Sequence, residues 1–423
     1  MVPAARPLEA RRGPLSTLVI DARRLRPAVL TPPVSKSDAL RALTLAGILE
    51  MPPPDVGEEP PDDVRRLERG LRALRERHPV VDCGDGAGPF RVLLGQAAVR
   101  SGTATFEGSQ RLAERPHAAL VEALERTLGE GGLRIQTGRP WPWIVRGAGP
   151  VRRPAFRVRA AESGQFATSL LLAAAALAHG ERRAWSVESA GPVASRGYVD
   201  LTLRWLRRAG FVADVRGDSV CVQAGARVAA FPTLPRDWSS GAYLLLAAWR
   251  GGGQVVGLDP EEPQPDRAVL RILGEIGLAV SREAGGLGVT GTPSEGVRAS
   301  AAECPDLLPT LAALACVLPR PSVFTEVGIL RGKESDRLEG IVDLVRAGGA
   351  SASLEGDTLR VTPGRRPEGR LAVACRGDHR LAMSASVLAA CHGTEVAIDG
   401  PECVGKSFPG FFKELSLAGA VLC

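Results

Sequence analysis

Gln165–Ser189 reads QFATSLLLAAAALAHGERRAWSVES, and the reading of this stretch decides the fold. Its first part is apolar almost all round, so as a helix it is buried on every side. Gly180 marks the break, and WSVES then alternates as a strand does. The same order of Ala/Leu-rich stretch, Gly- or Pro-marked turn and β-like stretch recurs along the chain: RALTLAGILEMPPPD from Arg41, RVLLGQAAVRSGTATFEG from Arg91, GAYLLLAAWRGGGQVVGL from Gly241, LLPTLAALACVLPRPSVFTEV from Leu307 and LAMSASVLAACHGTEVAIDG from Leu381. A second unit alternates with it, an amphipathic helix with charges on one face: VRRLERGLRALRER, HAALVEALERTLG, YVDLTLRWLRRAG, DRAVLRILGEIG, DRLEGIVDLVRAGG and FPGFFKELSLAG. Several copies run into a glycine, which suits a helix C-cap, and then into strand-like stretches such as VADVRGDSVCVQ and SASLEGDTLRVTP.

An all-round apolar helix belongs inside, and a striped one covers a sheet. The pattern predicts an α/β protein of six βαβαββ units, three to a domain. Breaks fall at TPPVS near Pro33 and FPTLPRD near Pro235. The strand-like LSTLVIDA precedes the first break and is expected to join the second domain. The expected division is therefore 34–235 for one domain and 15–33 plus 236–423 for the other. Residues 1–14 read as a flexible arm, basic but without the apolar segment of a secretory signal.

With 423 residues, 44% of them hydrophobic, the chain can bury the cores of two domains. No apolar run is long enough to span a bilayer, so no membrane association is expected. The net charge of +6 comes with an Arg-rich composition and suits anionic partners. Aromatics are 4% and show no basic–aromatic interleaving, so nucleic acid is not an expected partner. The eight cysteines form no CxxC pair and no metal-ligand cluster, so neither disulfides nor a metal is expected, and a reducing cytoplasmic setting is.

Small or charged clusters precede each buried helix: Ser35-Lys36-Ser37, Gly84-Asp85-Gly86-Ala87-Gly88, Ser163-Gly164-Gln165, Asp237-Trp238-Ser239-Ser240, Cys304-Pro305-Asp306 and Gly377-Asp378-His379-Arg380. Each alone reads as N-capping by Ser or Asp. Lys and Arg at a helix start are not explained that way, because the partial positive charge there repels cations unless an anion is bound. The Gly-rich loop is not a P-loop, since no GK[ST] follows. His379 alone reads as a packed residue.

The order of these motifs resembles the EPSP synthase (3-phosphoshikimate 1-carboxyvinyltransferase) family. The resemblance rests on Ser35-Lys36-Ser37 with Arg41, the Gly84–Gly88 loop with Arg91, Glu114-Arg115-Pro116, Ser163-Gly164-Gln165, Ser195 with Tyr198, Asp306, Lys333-Glu334-Ser335-Asp336-Arg337, Asp378-His379-Arg380 and Lys406-Ser407-Phe408-Pro409. It runs from about Val34 to the C-terminus. It implies a two-domain inverted α/β barrel, no organic or metal cofactor, and a cytoplasmic monomer. The implied reaction moves the enolpyruvyl group of phosphoenolpyruvate to the 5-hydroxyl of shikimate 3-phosphate.

The resemblance also implies roles. Lys36, Ala87, Arg115, Gln165, Arg337, Arg380 and Lys406 would hold phosphoenolpyruvate, in keeping with the bidentate fit of Arg to oxyanions. Lys36, Ser37, Arg41, Ser163, Gln165, Ser195, Tyr198, Asp306 and Lys333 would hold the phosphorylated acceptor. Asp306 would take the hydroxyl proton, and Glu334 would deliver and later remove a methylene proton, with Lys36 between the substrates. Ala87 matches the loop glycine beside which the family's inhibitor glyphosate packs, so a β-carbon there is expected to weaken that inhibitor.

Four departures bear on the acceptor side or the loop. The chain has Asp85-Gly86-Ala87-Gly88 where the family has Asn-Ala-Gly-Thr, Gly164 for the second serine of Ser-Ser-Gln, Ile329 for an Asn, and Leu40 for the Asn before Arg41. Asp85 is expected to disfavour an anion unless it points away. Three alternatives stand beside the main reading. One is a paralogue using another cyclic alcohol. A second is the UDP-N-acetylglucosamine enolpyruvyl transferase, whose Lys-Asn and loop Cys are absent here. The last is a non-catalytic binder, which has no need of both Asp306 and Glu334.

Overall fold

The structure, a computed structural model, describes residues 16–138, 140–149, 154–160, 163–191, 193–226, 228–283 and 285–423. The arm at 1–14 lies outside them. Thirteen α-helices follow in chain order among the described residues: α1 Lys36–Ile48, α2 Asp62–Ala73, α3 Ala87–Ala98, α4 Gln110–Glu114, α5 Ala118–Leu128, α6 Gly164–Glu181, α7 Arg196–Arg208, α8 Trp238–Gly251, α9 Ala268–Glu275, α10 Leu308–Ala315, α11 Arg337–Ala347, α12 His379–His392 and α13 Phe411–Leu417. The Ala/Leu-rich stretches are α1, α3, α6, α8, α10 and α12. In α6 the consecutive Leu170, Leu171 and Leu172 are all at most 1% exposed. Only a helix surrounded by protein permits this, and each such leucine contributes about 1.5–3 kcal/mol.

The sheets share one plan. Ala155–Val158 runs parallel to Trp185–Ser189, which is antiparallel to Ser219–Gln223, itself antiparallel to Val212–Arg216. Sheets beginning at Val29, Val80, Arg298 and Leu371 repeat this order, giving five four-stranded sheets among the described residues. The outer strand Val212–Arg216 follows α7 through Gly210, whose φ of 85° needs a residue without a side chain. The last sheet takes Thr17–Asp21 between Glu395–Asp399 and Val421–Leu422, so the first and last described strands pair.

Six units were expected to bring six sheets. The unit beginning at Arg41 keeps both helices and lacks its sheet: no strand lies between Ile48 and Asp62. Val80–Asp82 pairs only with Thr103–Glu107, in the next unit's sheet. The physical reason stands in the sequence, where Pro52, Pro53, Pro54, Pro60 and Pro61 remove the N–H groups that a ladder requires.

Buried apolar side chains fall into two clusters. One gathers residues from Ala39 to Leu234. The other gathers Ile20, Ala22 and Leu30 with residues from Trp238 to Ala420. We take these as the cores of two halves, the first and the second. The chain passes between them at an isolated bridge that pairs Val34 with Arg236. The N-terminal ends of α1, α3, α6 and α12, with Pro305 and Asp306 ahead of α10, converge on one cavity.

Candidate active site

Local capping sets most of the site. Ser35 Oγ accepts from the N–H of Asp38 at 3.3 Å and starts α1, which puts Lys36, Ser37 and Arg41 on its first turns. Ser163 caps α6 by accepting from Gln165 N at 3.3 Å. Asp378 caps α12 by accepting from Arg380 N at 2.9 Å. Ser195 begins α7 from a left-handed conformation, φ 54°, which turns the chain sharply into the cavity wall.

Of the residues expected at the site, Lys36, Ser37, Arg41, Arg115, Ser163, Gln165, Ser195, Tyr198, Asp306, Lys333, Glu334 and Arg380 line the cavity. Arg337, Lys406 and Ala87 stand behind its surface. Arg337 is 1% exposed and meets three carboxylates: Asp378 at 2.8 Å, Asp306 at 3.0 Å and Glu334 at 2.6 Å. Lys406 donates to the main-chain carbonyl of Asp85 at 2.6 Å, and lies 3.9 Å from both Asp63 and Glu334. Ala87 is 2% exposed and packs inward at the start of α3, so the cavity-lining loop position is Gly88. Asp85 is exposed and is not among the residues that line the cavity.

The two halves hold one another across the cavity through charged groups. Arg115 Nη1 donates to Glu334 Oε1 at 3.3 Å, and Arg111 donates to the main-chain oxygens of Lys333 and Glu334 at 2.9 and 3.0 Å. Arg380 reaches Asp306 Oδ2 at 2.7 Å. Burial would raise the Asp306 carboxyl, but Arg380, Lys333, Arg337 and Lys36 outweigh it and hold the group well below the usual carboxylate range. Glu334 is likewise pushed up by burial and pulled further down by Arg115, Arg337 and Lys406. Lys333 is lowered to about 8, chiefly by burial. His379 is 1% exposed, and burial and Arg380 keep its ring neutral.

Arg41 is braced on all sides. Its Nε donates to Thr202 Oγ1 at 2.9 Å, Nη1 to the carbonyl of Ser37 at 2.6 Å, and Nη2 to the carbonyl of Tyr198 at 2.7 Å. Burial lowers its pKa to about 10, which leaves it charged at neutral pH. Gln165 Oε1 accepts from Arg91 at 2.7 Å, which fixes the amide.

Asp63 was not singled out from the sequence. It lines the cavity at 4% exposure and pairs with Lys36 at 3.0 Å. In the sequence it is one of two aspartates opening a charged amphipathic helix, where carboxylates are ordinary. Only the fold shows that this one faces inward. The wall is completed by the departures Leu40, Gly164 and Ile329, together with Val92 and Thr168. A Cβ at Gly164 would lie 2.4 Å from the carbonyl oxygen of Ala194, so no side chain fits there.

The lining carries five cations (Lys36, Arg41, Arg115, Lys333, Arg380) against three carboxylates (Asp63, Asp306, Glu334), an excess that suits small anions. Among the described residues, no group of three or more His, Cys, Asp or Glu side chains is arranged to hold a metal ion.

A family model described as EPSP synthase (3-phosphoshikimate 1-carboxyvinyltransferase) matches residues 56–415. A 3-phosphoshikimate 1-carboxyvinyltransferase of Methanopyrus kandleri is 32% identical over 92% of this chain and 95% of its own. One of Aeropyrum pernix is 34% identical over 93% of this chain and 88% of its own. Among solved structures, an EPSP synthase of Acinetobacter baumannii superposes with a TM-score of 0.71 over 96% of this chain and all of its own, at 20% identity. An enolpyruvyl transferase of Streptomyces tendae gives 0.68 over 97% of this chain and 99% of its own, at 14% identity. The structures share the two-domain inverted α/β fold, and kinship at this level over nearly the whole chain makes it a member of the EPSP synthase family.

Proposed function

We propose that this enzyme transfers the enolpyruvyl group of phosphoenolpyruvate to the 5-hydroxyl of shikimate 3-phosphate, releasing phosphate. One observation carries the reading: two carboxylates suited to proton transfer, Asp306 and Glu334, sit in one cavity amid guanidinium and ammonium groups drawn from both halves. Arg115, Arg337, Arg380 and Lys406 are the cations for the donor's carboxylate and phosphate. Lys333, Ser163, Ser195 and Gln165 serve the acceptor, with Arg41 bracing the wall and Tyr198 against the ring.

The chemistry follows from those positions. The acceptor oxygen attacks C2 of phosphoenolpyruvate while Asp306 takes its proton, and C3 receives a proton from Glu334. The C2–O bond to phosphate then breaks, the phosphate leaving with the proton that Asp306 took, as Glu334 removes a proton from C3 and restores the double bond. Both carboxylates are weak bases while they hold the guanidiniums that the donor needs. The donor's anions compete for Arg115, Arg337 and Arg380. Each cation drawn toward the donor relaxes its hold on a carboxylate and raises that carboxylate's pKa toward a working range. Binding the donor thus arms the proton-transfer groups.

Both halves of one chain supply the site, which supports a monomer, and eight cysteines without disulfides support the cytoplasm. Phosphate release with the two substrates, against controls lacking either, tests the proposal. Release with another cyclic alcohol and none with shikimate 3-phosphate overturns it. That second reading is favoured by the walled-off Gly164 and by Ile329, which remove polar groups on the acceptor side.

A further inference from the structure

The Tyr198 hydroxyl makes its hydrogen bond across the seam between the halves, donating to Asp266 Oδ2 at 3.3 Å. Asp266 lies in the turn Pro265–Arg267 ahead of α9 and is 2% exposed. The turn is fixed from behind by Gln264, which accepts from Trp238 N at 2.9 Å and donates to the Arg236 carbonyl at 2.8 Å. Ser239 Oγ donates to the same Asp266 oxygen as Tyr198. The approach depends on Gly197, where a Cβ would stand 3.0 Å from Pro265 Cγ. The other carboxyl oxygen, Oδ1, is buried with no partner. None of this is used by the proton transfers above.

We propose that Asp266 is a positioning residue that ties Tyr198 to the second half and so holds the tyrosine in its place against the acceptor. The placing of Tyr198 beside the acceptor rests on the function proposed above; the tie itself rests on the seam geometry. The groups facing Asp266 are Asp306, Arg380, Asp237 and Tyr198. Burial and then Asp306 push its pKa up to about 7. A buried oxygen without a donor, near a second carboxylate, is tolerated by a neutral acid and not by an ion. Asp266→Asn is therefore the conservative variant, because its amide oxygen still accepts from Tyr198 and Ser239.

The test uses the full chain with Tyr198→Phe, Asp266→Ala, Asp266→Asn and the double variant Tyr198→Phe/Asp266→Ala. Losing the tie should raise the acceptor KM by about tenfold in Tyr198→Phe and in Asp266→Ala, with the donor KM changed by less than about twofold. Asp266→Asn should stay near the unmodified enzyme, and the double variant should be no worse than the worse single. Effects that multiply, or a donor KM that rises as far as the acceptor KM, overturn the proposal. Backbone amide exchange over 195–199 and 264–268 needs no substrate and reads the tie directly. It should quicken at least about threefold in Tyr198→Phe, which keeps the ring and so the fold. Unchanged exchange overturns the tie even if the kinetics shift. If the unmodified enzyme releases no phosphate with shikimate 3-phosphate, the proposed reaction falls while the exchange result still decides the tie.

Discussion

Replacing Glu334 by Gln should move two quantities in opposite directions. Glu334 Oε2 holds Arg337 at 2.6 Å and Oε1 holds Arg115 at 3.3 Å, with the Glu334 side chain 14% exposed and that of Arg115 5%. Unit charges at that separation attract by about 5 kcal/mol at an effective dielectric of about 20. The donor's carboxylate must replace that attraction to claim Arg115. Glutamine removes the competing charge, and Arg337 keeps Asp306 and Asp378. After the costs of desolvation, a net gain of about 1.4 kcal/mol is expected, or roughly tenfold tighter phosphoenolpyruvate. Turnover should fall by about 10² to 10⁴, because the amide cannot pass a proton to or from C3. Phosphate release gives the turnover, and calorimetric titration with phosphoenolpyruvate alone gives the affinity. Near-normal turnover would remove Glu334 from the proton transfer. Weaker donor binding would refute the competition between carboxylates for the guanidiniums.

Three further outcomes follow from the same geometry. Gly164→Ser should weaken acceptor binding or stability by about 1–3 kcal/mol, since its Cβ would press on the Ala194 carbonyl at 2.4 Å; thermal melts and acceptor titration read it, and a fully tolerated serine would show that the 194–195 turn yields. Ala87→Gly should leave glyphosate inhibition nearly unchanged, because Ala87 is buried behind the loop, whereas Gly88→Ala should weaken it by about tenfold or more, its Cβ being 3.2 Å from Leu40 Cδ1 at the cavity wall. The reverse ranking of inhibition constants would put Ala87 in contact with the ligand. Asp266 has a raised pKa in the folded protein, so its contribution is fully present below the ordinary carboxylate pKa and is lost as pH rises toward about 7. Melting temperatures should fall over that window and fall less in Asp266→Asn; parallel curves would deny the shift.

Much of the architecture is legible in the sequence because burial writes itself into composition. A helix such as α6 has no polar face, so its sequence has none either. The charged site residues were legible for a related reason: lysine and arginine at helix starts conflict with the helix dipole, and such conflicts are kept where an anion resolves them. Asp63 gave no such signal, because an aspartate at a helix start is favourable wherever it points. Asp266 was silent as well, since its burial depends on a seam between segments 68 residues apart. The missing sheet of the first unit is hidden behind its two helices, which keep the repeat, while the five prolines between Pro52 and Pro61 carry the contrary signal.

The bond from Lys406 ends on the main-chain oxygen of Asp85, and a carbonyl is the same whatever side chain it carries. The identity of residue 85 is therefore invisible to the lysine. What the contact reads is the path of the loop, held by the turn at Gly84 and by the start of α3. Position 85 is thus free to drift among residues whose side chains are content in water. An acidic residue there, alarming beside an anion site when seen as a letter, says nothing about which molecules the site admits.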